Sequence, residues 1–210
     1  MAEGLVNIGT NVGGVSRSKP ITRTGTCWAH PEPLEAGQAG TLSTRTGDDA
    51  GILSVDSHGI LNTDTVDVGW VDVSGLNQYR ANMTVSSVTT DTLTVAGGSG
   101  TNFPVEDYDV VVGKRMSVAF SATGSAIELI SLYSAPPAGK HDSRVMVDFV
   151  TSLGATIKAC DLNDDEPFVW VNNSPIANPV AGGAIAALEM SSLCEEAPTV
   201  YVEIVYDASP

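Results

Sequence analysis

Apolar and polar residues alternate with a period of two along much of this chain, which places one face of each extended segment in a core. The pattern is clearest in Val66-Asp67-Val68-Gly69-Trp70, in Met83–Val88, Thr92–Val95, Val145–Val150 and Phe168–Val171, and in Val200–Tyr206. These segments are rich in Val, Thr and aromatic residues, which fit a pleated, half-buried surface. Turn-forming clusters separate them at short intervals: Gly47-Asp48-Asp49, Ser57-His58-Gly59, Gly97-Gly98-Ser99-Gly100, Pro136-Pro137-Ala138-Gly139 and Asn172-Asn173-Ser174-Pro175. Many short strands at such spacing predict an all-β chain built as a sandwich or a barrel. One stretch, Gly183–Met190, carries good helix formers; it is short and reads equally well as a strand.

The pattern divides the chain into three regions. Residues 1–35 are rich in Gly, Thr and Pro and form an extended N-terminal segment that contributes strands or an arm. Residues 36–115 carry about six short strands, at 40–46, 51–56, 65–73, 78–88, 91–96 and 108–113, which suits a small SH3-like β-barrel module. Residues 116–210 carry longer strands suited to a β-sandwich. In the preferred arrangement the barrel is an insertion, and strands from the N-terminal region join the C-terminal sandwich. Leu53, Val66, Val68, Trp70, Val85 and Leu93 are the expected barrel core. Trp70 and Trp170 both lie in alternating strands and are expected to anchor cores. Burying such a ring removes about 150–250 Å² from water, a gross gain of roughly 4–6 kcal/mol.

Composition narrows the function classes. Hydrophobic residues make up 42% of the 210 and charged residues 17%, enough to bury a core and too few charges for a disordered chain. No apolar run approaches the roughly 18 residues a membrane span needs, and Met1-Ala2-Glu3-Gly4 does not open a secretory signal, so no membrane partner is expected. Cys27, Cys160 and Cys194 are odd in number and widely spaced, which argues against a disulfide framework or a zinc site. The net charge of −15 repels phosphate, so no direct nucleic-acid binding is expected. That charge is uneven. In residues 1–30, Arg17, Lys19 and Arg23 stand against Glu3 alone, a balance of +2, which leaves −17 on the rest. A segment of one sign on a body of the other suits docking on a neighbour. Arg17, Lys19 and Arg23, with the apolar Ile21 and Trp28, are the expected assembly contacts.

Signals for chemistry are sparse. His30, His58 and His141 occupy loop or turn positions, there is no G-x-S-x-G elbow, and Gly9–Gly14 lacks the Lys-Ser/Thr ending of a phosphate loop. No catalytic residue and no cofactor is expected. Asp161, Asn163 and Asp165 have the spacing of the first three ligands of a calcium loop. Glu166 and Asn172 stand where that loop wants glycine and a bidentate glutamate, so an acidic hairpin turn is the competing reading.

The run Gly40–Gly47, then Gly51-Ile52-Leu53, Ser57-His58-Gly59-Ile60 and Thr65–Trp70, with Gly97–Gly100 followed by Phe103-Pro104, resembles a small β-module that recurs in proteins of tailed bacteriophages and prophages. The resemblance covers residues 36–115 and implies a virion context without catalytic residues. The expectation is a structural virion protein, assembled in the host cytoplasm and acting by subunit packing. A capsid decoration (cement) protein is preferred over a tail-tube or other tail subunit, or a carbohydrate-binding, adhesive β-module. Its partners are expected to be other copies of itself and a neighbouring major capsid or tail protein.

Overall fold

The computed structural model describes residues 11–12, 15–16, 27–119, 127–136, 144–151, 153–163, 167–171 and 185–206. Among them the secondary structure is β throughout, and no helix forms. A short hairpin pairs β1 (Asn11–Val12) with β2 (Val15–Ser16). Strand β3 (Cys27–Pro33) follows, before the chain enters a run of barrel strands.

These are β4 (Gln38–Gly47), β5 (Ala50–Ser54), β6 (Thr65–Val71), β7 (Asn77–Val88), β8 (Thr92–Ala96), β9 (Ser99–Gly100) and β10 (Tyr108–Lys114). They hydrogen-bond in the order β6-β10-β4-β5-β8-β7, and a further β6–β7 pairing closes the ring into a six-stranded antiparallel barrel, with β9 attached to β7. Alternation places Leu42, Leu53, Val66, Val68, Trp70, Met83, Val85, Leu93, Val95, Val110 and Val112 inside, all at most 5% exposed. All six residues expected in this core are there. Trp70 lies tilted on Phe103 at 5.8 Å, filling the barrel interior.

The remaining strands are β11 (Met116–Ala119), β12 (Ile127–Ala135), β13 (Arg144–Thr151), β14 (Thr156–Asn163), β15 (Phe168–Val171), β16 (Ile185–Ser192) and β17 (Thr199–Tyr206). They form two four-stranded sheets, β11-β16-β13-β14 and β15-β12-β17-β3. Val145, Val147, Phe149, Leu188 and Met190 of the first sheet share one core with Ile130, Leu132, Val200, Val202 and Ile204 of the second. The two sheets are therefore the layers of a sandwich. Strand β3 pairs with β17 from Cys27↔Val205 to Pro33↔Thr199, and β11 pairs with β16, so the barrel stands between two sandwich strands of the sequence.

The helix-forming stretch at 183–190 is strand β16 from Ile185 onward. It is an interior strand, paired with β11 on one side and β13 on the other. Those two ladders, and the burial of Leu188 and Met190, outweigh the weak helical preference of Ala, Leu and Glu.

Candidate functional site

Alternation in β6 turns Val66, Val68 and Trp70 into the barrel. Asp67 and Gly69 therefore face outward, yet Asp67 is 0% exposed. The outer face of the β11-β16-β13-β14 sheet covers them. In β13 the core-facing set is Val145, Val147 and Phe149, which leaves Arg144, Met146 and Asp148 on the barrel side. In β16, Leu188 and Met190 face the core, while Glu189 and Ser191 face the barrel. Met146 and Leu193 pack there against Ala81 and Tyr79 of β7.

Arg115, the single residue between β10 and β11, inserts its side chain into this junction at 2% exposure. Its Nε donates to Asp67 Oδ1 at 2.7 Å, one terminal nitrogen to Asp148 Oδ2 at 2.6 Å, and the other to Glu189 Oε2 at 3.0 Å. One cation thus holds a carboxylate from the barrel and two from the sandwich. Burial alone would lower its pKa; Asp67 and Asp148 more than offset this and hold the guanidinium above its ordinary value.

Asp67 is the most heavily bonded acid of the cluster. Strand β7 bulges opposite it, between the pairs Val66↔Met83 and Val68↔Arg80, and Asn82 takes a left-handed φ of 58°. That turns the Asn82 N–H onto Asp67 Oδ1 at 2.6 Å, while Ser191 Oγ donates to Oδ2 at 2.5 Å. Charge-assisted bonds of this kind are stronger than neutral ones. Removing one member of such a buried set costs about 3–5 kcal/mol, because the others stay buried without it. Asp148 Oδ1 is buried without a hydrogen-bond partner among the described residues, and Asp148 borders a cavity of about 320 Å³ shared with Asn82, Ser99 and Thr156. A β-carbon on Gly113 would stand 2.2 Å from Ser192 O, so only glycine lets β10 approach β16 this closely.

Beside the junction the two units bound an open cleft of about 1080 Å³. Its lining includes Gly69, Val71, Val111 and Leu193, and its rim carries Asp107, Asp109 and Glu195, all three exposed and none in an ion pair among the described residues. Arg144 reaches in beside Gly69 and donates from both terminal nitrogens to Gln78 O at 3.3 Å. Burial lowers its pKa, and Asp161 and Tyr79 pull the other way. At one end of the cleft the β6–β7 hairpin exposes Val71 by 53%, Val73 by 96% and Leu76 by 61%. Asp72 fixes this tip: its carboxylate accepts from Ser74 N, Leu76 N and Gln78 Nε2 at 2.8–3.0 Å.

The residues singled out in the sequence are dispersed. His58 is buried at a turn; Nδ1 accepts from Ile60 N at 3.0 Å and Nε2 lies 3.4 Å from Thr92 O, so both ring nitrogens face backbone. His30 lies in β3, and His141 lies outside the described residues. Asp161 and Asn163 lie on strand β14, paired with Met146 and Arg144 of β13, whereas Asp165 lies outside the described residues. Arg17, Lys19, Ile21 and Arg23 also lie outside them. Trp28 is in β3 opposite Ile204, and Trp170 is in β15 opposite Ile130. Cys194 is a free, buried thiol. The Arg115 cluster escaped the sequence reading because Asp67 sits at a position that alternation assigns to solvent. The signal available was Gly69 and Asp67 together on an outer face, since glycine in a strand marks close approach of another backbone. No family model, curated protein or solved structure matches the chain.

Proposed function

We propose that the chain is a structural virion protein that acts by packing against neighbouring subunits, as a capsid decoration protein of a tailed phage. The observation that carries this reading is the apolar hairpin tip. Val71, Val73 and Leu76 are held out in solvent by a turn that Asp72 pins with three hydrogen bonds. Exposed apolar clusters on a fixed support are characteristic of contact surfaces. Three further features support it. Among the described residues the sandwich sheets end at strands β11, β14, β15 and β3 with no further strand paired outside them, the kind of edge that strand addition uses. His58 turns both ring nitrogens to backbone groups, which suits a non-enzymatic role. Residues 36–115 carry the phage-module resemblance. A tail subunit would use the same surfaces.

The test is imaging of the native particle together with incorporation assays. Chains lacking residues 1–25 and chains carrying Val73→Asp with Leu76→Asp are expected to fold and to attach more weakly. Full incorporation of both, or a particle without the chain, overturns the reading. A carbohydrate-binding role is favoured by one feature alone, the exposed Tyr133 and Tyr201, whose rings lie 6.3 Å apart across β12 and β17. Glycan binding lost on Tyr201→Ala would support it.

A further inference from the structure

We propose that the cavity of about 320 Å³ beside the Arg115 cluster binds a compact monovalent cation, an alkali metal ion or a primary ammonium group, through Asp148 Oδ1. The site is independent of the packing role proposed above. Its origin is a charge imbalance in the joint. Asp67 and Asp148 are both withdrawn from water, at 0% and 4% exposure, and share the single guanidinium of Arg115. Glu189 keeps 27% of its side chain in solvent and needs no buried partner. The buried set therefore carries one more negative charge than positive. Asp67 has both oxygens bonded, by Asn82 N, Arg115 and Ser191. Asp148 has only Oδ2 bonded, to Arg115, and Oδ1 is buried without a hydrogen-bond partner among the described residues. A dry, unbonded carboxylate oxygen is destabilising, and a cation beside it removes both the imbalance and the unmet acceptor.

The cavity is built to admit such a group. Asp148 and Thr156 reach it from β13 and β14, Tyr79, Ala81 and Asn82 from β7, and Gly98 and Ser99 from the turn that leads into β9. Gly98, Ser99 and Thr156 are exposed, so they form the mouth, with Asp148 at the buried end. The wall is fixed: Arg80 donates to Gly97 O at 2.6 Å and to Gly98 O at 3.2 Å, and a β-carbon on Gly98 would stand 2.3 Å from Ala81 O. The side chains of Asn82, Ser99 and Thr156 supply neutral oxygens around one charged oxygen, acceptors for an ammonium or ligands for an alkali ion. Among the described residues no three His, Cys, Asp or Glu side chains converge on a metal position, whereas a hard divalent ion recruits several carboxylates. Charge thus selects a monocation. The volume is about ten times a water molecule's share of the liquid, so the ion can keep part of its hydration shell.

The experiment is thermal unfolding of the full chain in sodium, potassium, ammonium and methylammonium chloride at equal ionic strength. Tetramethylammonium chloride is the reference, since its cation offers neither an N–H nor a bare charge. At least one cation is expected to raise the melting temperature by about 3–5 °C over the reference at tenfold excess over its dissociation constant. A rise with sodium or potassium assigns a metal ion; a rise confined to the two ammonium salts assigns an amine. Asp148→Asn should abolish the difference between salts. Ser99→Ala with Thr156→Val, both at the exposed mouth, should at least halve it and decides the matter if Asp148→Asn does not fold. Equal melting in all five salts, or a difference that persists undiminished in these variants, overturns the proposal. Lys158 stands opposite Asp148 in the β13–β14 ladder. A salt difference that appears only in Lys158→Met would make the chain's own lysine the partner of Asp148, and overturns the proposal equally.

Discussion

The barrel and the sandwich solve the same problem, a β-sheet's need to satisfy its edges, in opposite ways. The barrel uses consecutive strands from Gln38 to Lys114 and closes on itself through the β6–β7 pairing. The sandwich recruits β3 from before the barrel to pair with β17, some 170 positions later, and among the described residues its sheets end at β11 and β14 in one and at β15 and β3 in the other. Closure makes a unit that is complete by itself, whereas an open sheet must be completed from elsewhere. The contrast explains why every barrel pairing stays within residues 38–114, whereas the sandwich needs a strand from before the barrel.

The largest expected effect comes from breaking the joint between the two. Arg115→Ala leaves Asp67 and Asp148 buried without their cation and should cost about 3–5 kcal/mol. Denaturant unfolding should then separate into two transitions, one for each unit; a single unshifted transition would show that the joint contributes nothing. Paired core truncations rank next. Leu53→Ala in the barrel and Leu188→Ala in the sandwich each remove a fully buried side chain and should each cost about 2–5 kcal/mol. If the barrel is self-sufficient, Leu53→Ala should lower amide protection across residues 38–114 and spare β12 and β17. Loss of protection spread evenly over both would contradict that independence. Gly113→Ala should follow at about 1–3 kcal/mol, since its β-carbon would collide with Ser192 O and push β10 from β16. Melting temperature reads this directly.

The smallest effect concerns the hairpin tip. The bond from Leu76 N lowers the Asp72 pKa below its ordinary 3.8 against a smaller opposing effect of burial, with Gln78 and Ser74 adding to the lowering. Its contribution is therefore complete above pH 3.8 and is lost only as the pH falls through the lower folded value. Amide exchange at Ser74 and Leu76 should stay slow at neutral pH and accelerate in acid below that point. In Asp72→Ala it should be fast throughout.

The barrel was legible because its strands are amphipathic in the simplest sense. The expected strand at 65–73 is Thr65–Val71, that at 78–88 is Asn77–Val88, and that at 91–96 is Thr92–Ala96. Six short strands point to a closed barrel; the strand order and the bulge at Asn82 in the β6–β7 ladder were not legible, because no period reveals them. Strand β16 was ambiguous for a related reason: Ala, Leu, Glu and Met suit a helix locally, and only two long-range ladders decide otherwise. The Arg115 cluster was hidden entirely. Asp67, Arg115, Asp148 and Glu189 are far apart in sequence, and alternation places each of the three acids on a strand face that a single sheet would leave wet. A second layer covers that face, and layers are not written in local periodicity.

The way the barrel joins the chain has a consequence for how such a molecule changes over generations. Gln38, where the barrel begins, sits directly across the ladder from Val112, two residues before it ends. Directly opposed residues in such a ladder are about 5 Å apart, so entry and exit share one doorway. A whole cassette can be excised there and the ends rejoined, or replaced by another of similar gate width, without shifting a single register in the host sheets. The conservative limit on such exchange is chemical: any replacement must either supply its own counterpart to Asp67 or dispense with Arg115.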